Sequence, residues 1–152
     1  MATAPLPMPA LLRWGYRLAL LCGGLLFVTA LSTSFGCSDV SELKSMPFGE
    51  WNVPVWVGHA FISSGFMIAI GYSLRNRQPG ARQLIVAFWF TGLVLLIGDF
   101  FLARQQSGGQ VAGVWVATAF LNSLLAIAFG AWYLFGKQNV RQYFERLRAP
   151  EA

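Results

Sequence analysis

The chain has 152 residues, of which 56% are hydrophobic and only 11% are charged, against about 25% charged in an ordinary soluble domain. That balance places a single domain in lipid rather than in water. The formal charge of +5 does not point to nucleic acid, because the basic residues stand at the ends of apolar runs and form no stripe with interleaved aromatics.

Residues 1–12 contain Pro5, Pro7 and Pro9, whose fixed φ and missing N–H groups favour an extended lead-in. Arg13, Trp14, Tyr16 and Arg17 then form a basic and aromatic collar, and an apolar run makes the first expected span, residues 16–35. A cleaved signal peptide is the competing reading, with small residues around Val28, Thr29 and Ala30. The run continues to Phe35, beyond a typical h-region, which favours a retained span. Residues 36–53 read as a polar loop with Pro47, Gly49 and Pro54 as breakers, in which Ser38 caps a single helical turn carrying Val40 and Leu43.

The second span is expected over residues 55–74. A basic Pro-Gly reversal follows from Arg75 to Arg82, and the third span covers residues 83–103. After a short Ser107-Gly108-Gly109 loop, the fourth span covers residues 113–135. In the tail, residues 139–148, Val140, Tyr143, Phe144 and Leu147 share one face at helical spacing, and Asn139 with Gln142 resembles a capping box. An amphipathic helix on the membrane surface is the expectation, with Lys137, Arg141, Tyr143, Phe144, Arg146 and Arg148 as its membrane-contacting residues. A solvated charged tail is the plainer alternative.

The N-terminal arm, the second loop and the tail carry nine of the eleven Lys and Arg residues, and only Lys44 and Arg104 lie in the other loops. By the positive-inside rule both termini face the cytoplasm, and a bacterial inner membrane is the expected location. Aromatic residues agree: Trp14, Tyr16, Tyr72, Trp132 and Tyr133 fall at the inner boundary, and Trp51, Trp56, Phe101 and Trp115 at the outer one.

An internal repeat organises the chain. Residues 55–71, VWVGHAFISSGFMIAIG, align without a gap with residues 114–130, VWVATAFLNSLLAIAFG, and share nine of seventeen residues, Ser64/Ser123 and Gly71/Gly130 among them. Each unit holds two spans, so the fold class expected is an all-α integral membrane protein of four transmembrane helices. These form two parallel-repeat helical hairpins, followed by the short amphipathic helix. The first and third spans match only through Arg17 with Arg82 and Phe35 with Phe100.

Under this alignment His59 stands opposite Thr118, and Ser63 opposite Asn122. Positions four apart share a helix face, so each mate carries a polar stripe in its outer half. Counting helical rise puts Asp99 about 6 Å below the outer end of the third span and His59 about 7 Å below that of the second. These two can meet. The candidate polar pocket is therefore His59, Ser63, Asp99, Thr118 and Asn122. Ionisable groups inside a span are functional candidates, but polar side chains also serve simply to tie membrane helices together, and Asp99 has Arg104 as another partner. Small residues at Gly23 and Gly24, Ala60 and Ser64, Gly65 and Ala69, and Ala126 and Gly130 fit close helix contact.

No cofactor and no metal are expected: one His, two distant Cys and one intramembrane carboxylate make neither a bis-His haem nor a closed zinc site. Cys22 and Cys37 lie about 22 Å apart on one continuous helix and cannot pair within the chain. Cys22 reads as a buried apolar side chain and Cys37 as an exposed thiol. No nucleotide, hydrolase or metalloprotease motif is present, so no enzyme is expected. The polar groups stop near mid-bilayer, which argues against a through-path. The expectation is a non-catalytic accessory or structural membrane subunit, packing against lipids and against other membrane subunits or copies of itself. The alternative is a small-molecule or lipid binder or transporter with an outward-facing pocket.

Overall fold

The structure, a computed structural model, describes residues 7–37, 52–106 and 112–148; of residues 52, 103–106 and 112–116 it describes the backbone alone. The single turn expected after Ser38, the Ser107-Gly108-Gly109 loop, and the side chains of Trp51, Arg104 and Trp115 lie outside the described residues. Every described element is helical: α1 (Ala10–Ser34), α2 (Asn52–Arg75), α3 (Ala81–Gln106), α4 (Ala112–Ala131), a π-helical turn (Trp132–Gly136) and α5 (Gln138–Arg148). Four of these stretches are long and apolar enough to cross a bilayer.

The helix starts depart from the expected ones at two prolines. α1 begins at Ala10, directly after Pro9, and α2 begins at Asn52 with Pro54 inside its first turn. A proline there withholds an N–H that the helix would leave unbonded anyway, so it ends nothing. The C-terminal ends of α1 and α2 close alike. Beyond α1, Cys37 N–H donates to Ser32 O and Gly36 N–H to Thr33 O, with Gly36 at φ +68°. Beyond α2, Gln78 N–H donates to Ser73 O and Arg77 N–H to Leu74 O, with Arg77 at φ +53°. Both are Schellman closures, and the second places an arginine in the left-handed conformation that normally favours glycine.

Contacts between neighbouring helices run in reversed order, so neighbours are antiparallel. Gly23 faces Met67 and Ile68, while Gly71 faces Leu20 and Tyr16. The Phe27 and Phe61 rings meet edge-on at 5.6 Å. α1 and α2 pack closely, whereas α3 packs more loosely on α2, and α4 on α3. Phe66 and Phe88 join α2 to α3, and Gly130 of α4 takes the Trp89 ring of α3. Of the expected small-residue contacts, Ala60, Ser64, Gly23 and Gly130 are packed. Gly24 and Gly65 face open space.

The core lies at one end of the bundle. Leu12, Ile70, Leu74, Ala81, Tyr133, Leu134, Val140, Tyr143 and Phe144 form one buried cluster, flanked by Met8, Tyr16 and Trp89. This is the end that gathers the N-terminal arm, the turn between α2 and α3, and α5; it is called the basic end below. The π-helical turn makes the cluster possible. Its wider closure, with Lys137 N–H donating to Trp132 O at 3.2 Å, turns both Tyr133 and Leu134 inward, and one extended residue, Lys137, returns the chain beneath the bundle. Tyr133 is thus 8% exposed rather than an interfacial aromatic, while Trp14 and Trp132 remain open.

Candidate functional site

His59 on α2 and Asp99 on α3 are brought together. The imidazole Nε2 stands 3.5 Å from the carboxylate Oδ1, with about a third and a quarter of the two side chains exposed. That is an ion-pair distance when the imidazole carries a proton, and slightly long for a good N–H···O bond. Equal depth along antiparallel neighbours is what lets two isolated polar residues meet. Ser63, one turn from His59 on α2, is half-buried. Thr118 and Asn122 lie on exposed parts of α4, which packs on α3 and on its own π-helical turn; Thr118 has an interaction of its own there. Of the five residues expected to line one pocket, the structure thus joins His59 to Asp99.

Neighbouring hydroxyls are spent within their own helices. Ser64, fully buried, donates to Phe61 O at 2.9 Å, and Thr29, Thr33 and Ser34 of α1 donate to carbonyls four residues back. Such back-bonding satisfies a hydroxyl without a second helix. Among the described residues no three His, Cys, Asp or Glu side chains come together as metal ligands. Cys22 is exposed on α1, not buried as expected, and Cys37 is exposed as well. A thiol within a span gains no more from a neighbouring helix than from lipid.

At the basic end the six residues expected to contact the membrane divide. Tyr143 and Phe144 are 3% and 1% exposed, packed with Val140 against the bundle, so the apolar face of α5 meets protein and is not presented to lipid. The outward side keeps Lys137, Arg141, Arg146 and Arg148 exposed. Arg141 pairs with Glu145 at 3.3 Å, and Lys137 Nζ lies 5.6 Å from the Tyr133 ring centre. The Arg82 guanidinium stacks 3.7 Å above the Phe135 ring, tying α3 to the π-helical turn. With its amide turned to suit its neighbours, Gln83 donates to Pro79 O and Gly80 O and accepts from Arg148. The first turn of α5 closes on Lys137 O, which accepts from Val140 and Arg141 N–H. The expected box of Asn139 and Gln142 is therefore not the cap.

Sequence reasoning missed a groove of about 330 Å³ between the N-terminal arm and α5, where Arg13, Asn139, Gln142 and Tyr143 face Pro7, Met8 and Pro9. Its one sequence signal was the proline-rich arm, which read as a free lead-in. Burial pushes the Tyr143 phenol above its ordinary pKa, with the charge of Arg77 working the other way. The Tyr143 hydroxyl is buried and has no hydrogen-bond partner among the described residues.

Comparison with known protein families, with curated proteins and with solved structures finds no match. The geometry of the chain alone carries its functional reading.

Proposed function

We propose that this chain is a non-catalytic membrane subunit, built as a duplicated two-helix unit, that packs laterally against other membrane helices, with its basic end on the cytoplasmic side of a bacterial inner membrane. The observation that carries the reading is a contrast between the two repeat mates. On α2, Ala60 and Ser64 are 4% and 0% exposed, on the face that Met67 and Gly71 turn toward α1. On α4 the equivalent Ala119 and Ser123 are only half covered, and Ala126 is exposed. One copy of the same small-residue face is filled from within the chain; of the other, Gly130 is filled by Trp89 of α3, and the rest is left for a helix from elsewhere. Small residues at such faces allow the close backbone approach that drives helix association in lipid. The bias of Lys and Arg toward one end supports the orientation.

The test is extraction in native-lipid nanodiscs followed by mass measurement of the intact particles. The reading expects stoichiometric protein partners or further copies of the chain, retained in His59→Ala. Particles holding one chain and lipid alone would sink it.

A second reading rests on the 3.5 Å pair of His59 and Asp99: a binder of a small polar solute entering from the side opposite the basic end. It expects His59→Ala and Asp99→Asn each to abolish solute binding while leaving assembly intact, and has no support if both variants bind normally.

A further inference from the structure

The groove at the basic end sets one cationic side chain and two amides beside an otherwise apolar lining. One wall carries the Arg13 guanidinium from the first turn of α1, and the other carries the Asn139 and Gln142 amides and Tyr143 of α5. Pro7, Met8 and Pro9 supply a smooth apolar rim. The volume, about 330 Å³, falls at the small end of the range for specific small-molecule sites. Tyr143, 97% buried, lines the groove without opening its hydroxyl to it. One further observation points to a ligand. The surrounding field is one-sided: Arg13, Arg17, Arg75, Arg77, Arg82, Lys137, Arg141, Arg146 and Arg148 stand against Glu145 among the described residues of this end, and Glu145 is held by Arg141.

We propose that this groove binds a phosphate group, with Arg13 as its counter-ion and Asn139 and Gln142 as hydrogen-bond donors. The source argued here is the headgroup of an anionic phospholipid. Arg13 opens the first membrane-spanning helix, which puts the groove at the level where headgroups lie, and a basic pocket at a helix end is a known headgroup environment. The inference rests on four helices crossing a bilayer and is independent of lateral packing on α4.

The test uses the full chain in a non-ionic detergent, titrated with phosphatidylglycerol or phosphatidylcholine and read by native mass spectrometry. One phosphatidylglycerol is expected per chain, bound at least about tenfold tighter than phosphatidylcholine, with Arg13→Gln removing about tenfold of that affinity, as loss of a charge-assisted contact should. Asn139 and Gln142 are exposed, so the double variant Asn139→Ala/Gln142→Ala leaves the buried face of α5 intact and is expected to weaken binding about fivefold or more. Arg146→Gln, outside the groove, should change nothing. Equal binding of the two lipids, equal damage from Arg146→Gln and Arg13→Gln, or wild-type affinity in the double variant would each overturn the site. A competition arm with millimolar inorganic phosphate separates the sources: displacement of the lipid assigns the groove to free phosphate, and retention assigns it to the lipid headgroup.

Discussion

The basic end joins α1, α2, α3 and α5 through buried Leu12, Leu74, Ala81 and Phe144, whereas toward the other end the link between α2 and α3 is a polar contact between His59 and Asp99. The difference follows from where water is. Inside the apolar slab a leucine gains little by leaving lipid for a neighbouring helix, so association there relies on close packing and polar contacts. At the aqueous boundary, burial of apolar surface regains its full driving force. The chain accordingly builds a soluble-type core where α5 meets water, and leaves Leu18, Leu25, Phe90 and Phe129 exposed along the spans.

This contrast can be broken experimentally, and most forcefully at its strong side. Phe144→Ala empties a site that is 1% exposed and should cost about 3 to 5 kcal/mol, as large-to-small changes in cores do. Thermal unfolding in detergent micelles measures it, and a loss below about 1 kcal/mol would mean that α5 is not held by this core. Next come the glycines of the α1–α2 contact. A Cβ on Gly71 would stand 2.6 Å from Leu20 Cγ, and one on Gly23 2.9 Å from Met67 Cβ. Gly71→Ala and Gly23→Ala should therefore each lose about 1 to 3 kcal/mol through overpacking. Gly24→Ala meets nothing within 4 Å and should be neutral or slightly stabilising. Equal effects at Gly23 and Gly24 would show that the two helices do not approach as described.

At the weak side, His59→Ala and Asp99→Asn should each cost on the order of 1 kcal/mol, the usual worth of a polar contact between membrane helices. The double variant should cost less than their sum if the two side chains act as a pair. The smallest effect concerns pH. The folded phenol of Tyr143 has a raised pKa, so its contribution is fully present below the unfolded value of about 10 and falls as pH climbs through the higher folded value. Alkaline melting curves should show this decline in the wild type and a shallower one in Tyr143→Phe; identical slopes would show that the phenol does not titrate with unfolding.

The spans were legible because apolar runs of this length have few other uses. The depth of His59 and Asp99 was legible too, because helical rise fixes height. Which way their side chains point around the helix axis was not in the residues, and so Thr118 and Asn122 were grouped with the pair from alignment alone. The face of α5 was readable from Val140, Tyr143 and Phe144, but its cover was not, since lipid and protein are equally apolar partners for it. The exposure of Cys22 escaped for the same reason. Nothing in the letters WYLFG distinguishes a π-helical turn from one more turn of α4, and the burial of Tyr133 went unseen with it.

That turn gives α5 a fixed angular phase. A residue added to the stretch Trp132–Gly136 would rotate everything after it by about 100°, swinging Val140 and Phe144 off the bundle and Asn139 and Gln142 onto it, and a residue removed would turn the helix the other way and set Arg141 in the place of Val140. Many substitutions can be absorbed here at modest cost, but a change in residue count cannot, so this part of the chain constrains its own length more tightly than its spelling.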